Sequence, residues 1–151
     1  MGTLRATLDP SCVTLGLAAR TSEEVITALV GLLGASGSVP DPALLLRDVI
    51  ERERSFPTGL EEGCAIPHAN SDAMASTRLA VARLAAPVDF GAPDGPASLV
   101  VLMAGPRDAT GTHLKLLSKL ARLLHDPEFR EAAGAAPDAA ALASLFHSKD
   151  G

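Results

Sequence analysis

The chain has 151 residues and a formal net charge of −5, with 47% apolar, 21% charged and 3% aromatic residues and neither Trp nor Tyr. That length supplies one well-formed core and is short for two domains, and the composition excludes a disordered chain. The acidic balance, without a basic run or aromatics interleaved with Lys or Arg, argues against nucleic acid; no apolar run approaches the roughly 18 residues a bilayer span needs, and no signal segment opens the chain, so a cytoplasmic location without membrane insertion is expected.

Thr21-Ser-Glu-Glu24 has the form of a capping box, and Val25, Ile26, Leu29, Leu32 and Leu33 recur behind it at helical spacing, predicting a first helix that stops near Gly34 to Gly37. Asp41 and Pro42 open a second helix with Leu45 and Val49 on its buried face, and Arg52 and Glu53 fall on its last turn. Pro57 and Gly59 break it. Cys64 to Ile66 reads as a short buried strand running into Pro67, which places His68 at a strand end. Leu79 to Leu84 and Ser98 to Met103 are stronger strand candidates, the latter a continuous apolar run suited to an interior strand. Val88 to Phe90 is read as a further short strand closed by Gly91 to Gly95.

After Gly105-Pro106, Leu116, Leu117, Leu120, Leu123 and Leu124 give a third helix its core stripe. His113, four and seven residues before Leu117 and Leu120, points inward at its start. Gly134 to Pro137 is a turn, and an alanine-rich last helix runs from about Pro137 to Phe146, packing through Leu142, Leu145 and Phe146. Helices interspersed with short buried strands predict a single α/β domain, with a mixed central sheet of about five strands flanked by helices on both faces. Cys12 and Cys64 stand at no metal-ligand spacing and are expected as free thiols. His125 and His147 are read as surface residues.

Arg52-Glu53, then Pro57-Thr-Gly-Leu60, then Gly63-Cys-Ala-Ile-Pro-His68 resembles the phosphorylation-site signature of enzyme IIA domains of the bacterial sugar phosphotransferase system, of the fructose, mannitol and galactitol type. Val88 to Gly95, Ala104-Gly-Pro, His113-Leu-Lys-Leu-Leu-Ser-Lys-Leu-Ala121 and Leu124 to Phe129 follow in the family's order, so the likeness covers residues 12 to 146 of one domain, and Phe56-Pro-Thr-Gly-Leu60 looks most like galactitol-type members. Glu61 replaces a frequent glycine and Cys64 an aliphatic residue.

The resemblance implies the same α/β architecture and a phosphocarrier. His68 is then the phosphoacceptor, accepting on the ring nitrogen distal to the main chain while backbone holds the proximal one. Such a carrier takes phosphate from HPr or an HPr-like donor and hands it to a cysteine of a IIB component. A neutral imidazole suits the task, because it offers one nitrogen as nucleophile near neutral pH. Phosphorylation adds about −1.5 to −2 charges, so donors are needed nearby. His113 is expected to stabilise the phosphoryl group, Arg52 to supply orientation or charge, and Thr58 to donate a hydroxyl. No cofactor or metal is expected. A regulatory, nitrogen-type IIA would use the same chemistry with different partners. A zinc site of His68, His113, Cys64 and Asp72, and an interaction module in which His68 is inert, are the competing readings.

Overall fold

A computed structural model describes residues 3–150. Its organising element is β6 (Ala97–Gly105), in which every residue except Ser98 is buried. Alternate β6 side chains serve opposite faces of the sheet: Leu99, Val101 and Met103 enter one core, Val100, Leu102 and Ala104 the other. Along one side β6 pairs antiparallel with β5 (Arg78–Val88), which in turn pairs parallel with β1 (Leu8–Leu17). Along its other side it pairs parallel with two short segments, β3 (Cys64–Ala65) and β4 (His68–Asn70), and β2 (Gly59–Leu60) closes that edge antiparallel to β3.

Segments β3 and β4 share one register. Cys64 faces Leu99, Ala65 faces Val100 and His68 faces Met103, the same offset throughout. Between them Pro67 has no N–H to give, but its carbonyl still accepts from Met103 N at 3.0 Å. The strand therefore continues through the proline with one donor missing. Period-two alternation then puts His68 on the face that Cys64 and Ile66 occupy.

That face is covered by α1 (Thr3–Thr7), α4 (Thr110–His125), α5 (Pro127–Ala135) and α6 (Ala139–His147), with Leu120, Phe129 and Phe146 fully buried. The opposite face carries α2 (Ser22–Ala35) and α3 (Pro42–Ser55), packed through Ile26, Leu29, Leu45 and Val49. Thr21 and Asp41 cap α2 and α3, each accepting a backbone N–H three residues on.

The mixed sheet and two helical layers are those expected, with six strands in place of about five. Strands β1, β2 and β4 were not among the segments expected: the Asp9-Pro10 opening of β1 obscures its period, and β2 and β4 are only two and three residues long. Val88 to Phe90 is not a separate strand: Val88 ends β5 opposite Ala97, and the chain then turns, with Asp89 accepting from Gly91 N at 2.7 Å. Helix α5 escaped the sequence reading although Asp126 caps it and Pro127 occupies its first turn. The last helix starts at Ala139, beyond Pro137, because Asp138 is its cap. Leu117 and Leu123 are only half-buried; the core stripe of α4 is His113, Leu116, Leu120 and Leu124. His147 is not a plain surface residue, since its Nε2 lies 2.8 Å from the Leu8 carbonyl and ties α6 to β1.

Cys12 and Cys64 are free and buried. Burial pushes the Cys64 thiol up to about 11, against the opposing pull of Arg130. Because the thiolate is the reactive form, native protein at pH 8 should resist alkylation at Cys64 and react only after unfolding, which mass spectrometry of iodoacetamide-treated samples would show; rapid native labelling would contradict this burial.

Candidate functional site

His68 begins β4 at the end of the sheet where β6 also finishes. Its Nδ1 lies 2.7 Å from the Ile66 carbonyl, and a carbonyl can only accept, so Nδ1 carries the proton. The lone pair is left on Nε2, the ring atom farthest from the backbone. Pro67 helps build this geometry: the residue between donor and acceptor has a fixed φ, so the imidazole folds back on its own strand.

The chain leaves β6 at Gly105, makes one turn closed by Ala109 N on the Pro106 carbonyl, and enters α4. His113 lies in the first turn of that helix, 5% exposed, its ring centroid 5.9 Å from that of His68 and tilted by 54°. Gly105 makes room for it: a Cβ there would stand 3.3 Å from His113 Nδ1 and 2.8 Å from the Thr77 hydroxyl. His113 Nδ1 is buried without a partner. A buried lone pair costs less than a buried N–H without acceptor, so the neutral ring carries its proton on Nε2. Burial, with a smaller contribution from the charge of His68, pushes the His113 pKa down. His113 is thus a neutral N–H donor whose ring neighbours that of His68.

Both imidazoles open into a cavity of about 570 Å³ between α3, β4 and the start of α4. Arg52 lines it from the last turn of α3, its guanidinium 4.7 Å from the centre of the Phe56 ring. The sequence reading missed Asp48, Asn70, Arg107 and Thr110, which also line the cavity, and Phe56 and Leu114, exposed by 61% and 58% on its rim. Asp48, Glu51, Arg52 and Ser55 share one face of α3 at three- and four-residue spacing, a signal that could have found them. Arg107 sits in a turn and had none.

Thr58 takes another role than the one expected. Its hydroxyl donates to the Glu53 carboxylate at 2.6 Å and its N–H to the other oxygen at 2.8 Å, and it does not line the cavity. Glu53, 6% exposed, is the buried anchor that fixes the turn from α3 into β2. The zinc quartet is not assembled either: Cys64 faces the Leu124 carbonyl within the core, Asp72 is engaged by Arg107, and among the described residues no cluster of three or more His, Cys, Asp or Glu is arranged to hold a metal.

Residues 6–149 match the family described as phosphoenolpyruvate-dependent sugar phosphotransferase system, EIIA 2. Among curated relatives, the fructose-specific EIIA component of Haloferax volcanii is 38% identical over 112 residues, covering 74% of this chain and 73% of that protein. The 2-O-alpha-mannosyl-D-glycerate-specific EIIABC component of Escherichia coli K12 is 36% identical over 146 residues, covering 95% of this chain and 22% of that protein. The chain spans between 15% and 23% of the length of other curated relatives it matches, several of them multiphosphoryl transfer proteins. Among solved structures, the nitrogen regulatory protein IIA-Ntr of Neisseria meningitidis superposes with a TM-score of 0.86 at 30% identity, covering 96% of this chain and 97% of that one. IIA mannitol of Escherichia coli gives 0.79 at 26% identity, covering 93% and 99%.

The depressed pKa of His113 has a consequence for stability. The unfolded chain binds this proton below about pH 6.5 while the folded protein still refuses it, so the contribution is fully present above that pH and is lost as pH falls towards the folded value. Thermal unfolding from pH 7.5 to 5 should show a smaller acid loss in His113→Gln than in wild type; equal slopes would mean that His113 is not desolvated.

Proposed function

Since the chain belongs to the EIIA 2 family of the phosphoenolpyruvate-dependent sugar phosphotransferase system, we propose that it is a cytoplasmic phosphocarrier working through His68. The observation that carries this reading is the Nδ1 bond to the Ile66 carbonyl, which leaves Nε2 as an oriented nucleophile in an open cavity. In the first step Nε2 attacks the phosphorus of a phosphohistidine on HPr or an HPr-like donor. The P–N bond to the donor breaks as the P–N bond to His68 forms, and the donor imidazole leaves with the electron pair. In the second step a IIB cysteine thiolate takes the phosphoryl group and His68 regains its lone pair. Sugar is phosphorylated elsewhere, during uptake.

Phosphoryl transfer asks the protein for position and for charge stabilisation. His113 lines the same cavity as His68, where its Nε2–H is the donor available to the phosphoryl oxygens, and Arg52 supplies a permanent cation on the cavity wall. Helix α4 adds its unpaired first-turn N–H groups, since Ala109 offers no side-chain cap. Among the described residues no helix is long and apolar enough to cross a membrane, which fits a carrier that moves between partners.

Fructose, mannitol and galactitol remain the sugars this reading serves, with fructose favoured by the Haloferax relative. A regulatory, nitrogen-type role is the second reading, favoured by the likeness to IIA-Ntr at 30% identity. The two share His68 and differ in what receives the phosphate.

Label from phosphoenolpyruvate, passed through enzyme I and HPr, should enter wild-type protein as an acid-labile phosphohistidine and should not enter His68→Ala, which stays folded. His113→Ala should accept label about 10- to 100-fold more slowly. Labelling of His68→Ala would remove the assignment. Onward transfer to a IIB cysteine would separate the carrier from the regulatory reading.

A further inference from the structure

The charged residues lining the cavity balance: Asp48 and Glu51 against Arg52 and Arg107. A phosphoryl group on His68 would add about −1.5 to −2 charges. The burial of His113 opposes compensation by proton uptake there. The two cations differ in what holds them. Arg52 rests on the Phe56 ring, so it offers the same charge in either state. Arg107 is bound to carboxylates: its Nε donates to Asp72 at 3.0 Å and its guanidinium lies 4.0 Å from Asp48.

Resting on the phosphocarrier reading, we propose that Arg107 is a phosphoryl ligand that exchanges partners during the cycle, held by Asp72 and Asp48 when His68 is free and by the phosphoryl oxygens when it is occupied. The resting pair is easily broken, because the Arg107 and Asp72 side chains are 60% and 73% exposed and such pairs contribute little. A guanidinium fork on a phosphoryl group makes stronger, charge-assisted bonds. Neither carboxylate is stranded when Arg107 leaves. Water takes its place at Asp72, whereas Asp48, 11% exposed, keeps the Ser71 hydroxyl at 2.6 Å and the Arg47 guanidinium at 3.7 Å.

The exchange is coupled to the rest of the site through the backbone. Arg107 lies in the turn between β6 and α4, and its carbonyl accepts from the Thr110 hydroxyl at 3.4 Å. The same turn delivers His113 and Leu114 to the cavity, so the phosphorylation state reaches the first turn of the helix that carries half the rim. Asp72 acts here as a competitor for the cation, a role that predicts opposite effects for the two partners of one ion pair.

The test is the equilibrium distribution of phosphate between HPr and this protein, read with purified wild type, Arg107→Gln, Arg107→Lys and Asp72→Asn, with circular dichroism confirming the fold. Arg107→Gln should shift the equilibrium towards HPr by about tenfold. Arg107→Lys should recover part of that, and Asp72→Asn should shift it the other way, towards this protein. A purely structural role acts equally on both states and leaves the ratio unmoved, so a ratio within twofold of wild type for Arg107→Gln, or a shift towards HPr for Asp72→Asn, would overturn the proposal. Wild type that takes no phosphate at all would instead overturn the phosphocarrier reading on which it rests.

Discussion

One short hydrogen bond, from His68 Nδ1 to the Ile66 carbonyl, decides what the site can do, and much of the fold exists to make it available. In a regular strand the carbonyl two residues before a side chain is spent on the ladder or points away. Here the strand path from Cys64 to Asn70 keeps its register on β6 while Pro67 withholds a donor, and the local relaxation lets an imidazole reach back. The bond fixes tautomer and orientation together. A free imidazole shares its proton between two nitrogens; this one has a single nucleophilic atom facing open space.

The second histidine is made different by its surroundings. His68 is half-buried and anchored through Nδ1, whereas His113 is buried, unpartnered at Nδ1 and pushed towards the neutral form. Two equivalent imidazoles at 5.9 Å would compete for the same proton and the same phosphate. The Ile66 carbonyl fixes the lone pair of His68 on Nε2, and burial keeps His113 a neutral N–H donor in the same cavity. Gly105 secures the difference, because a side chain at the end of β6 would occupy the space in which the His113 ring is desolvated.

The strong periodic elements were readable from the chain, and so was the interior position of β6, whose unbroken apolar run implies a core on both faces. His68 and His113 were legible because their neighbours carry a family pattern, and Arg52 because it ends a well-capped helix. Arg107 and Asn70 were not: Asn70 lies two residues from His68 on a three-residue strand too short to reveal a face, and Arg107 comes near His68 only through the pairing of β4 with β6. Thr58 was misjudged for a related reason. A threonine in a turn next to a phosphorylation signature looks like a donor to the ligand, but Glu53, at the end of α3, is buried and accepts from both the N–H and the hydroxyl of Thr58. A carboxylate at 6% exposure must be satisfied before anything else is, and Thr58 is the nearest group able to do so.

The cavity is open, and that shapes how the chemistry can run. A phosphoramidate facing bulk water hydrolyses, and electrostatic stabilisation weakens where solvent screens it. The rim is suited to being covered by another surface: Phe56 at the end of α3 and Leu114 on α4, among the described residues the two large apolar side chains that stand exposed, both line the cavity. Under the phosphocarrier reading the same small rim must fit a donor and then an acceptor. This favours a shallow apolar border with few committed polar contacts, and encounters that are weak enough to end. Positioning is thus divided. The buried half of the site, His113, Gly105 and the Ile66 carbonyl, is preorganised by the fold, and on this reading the dry environment that would complete it arrives with each partner.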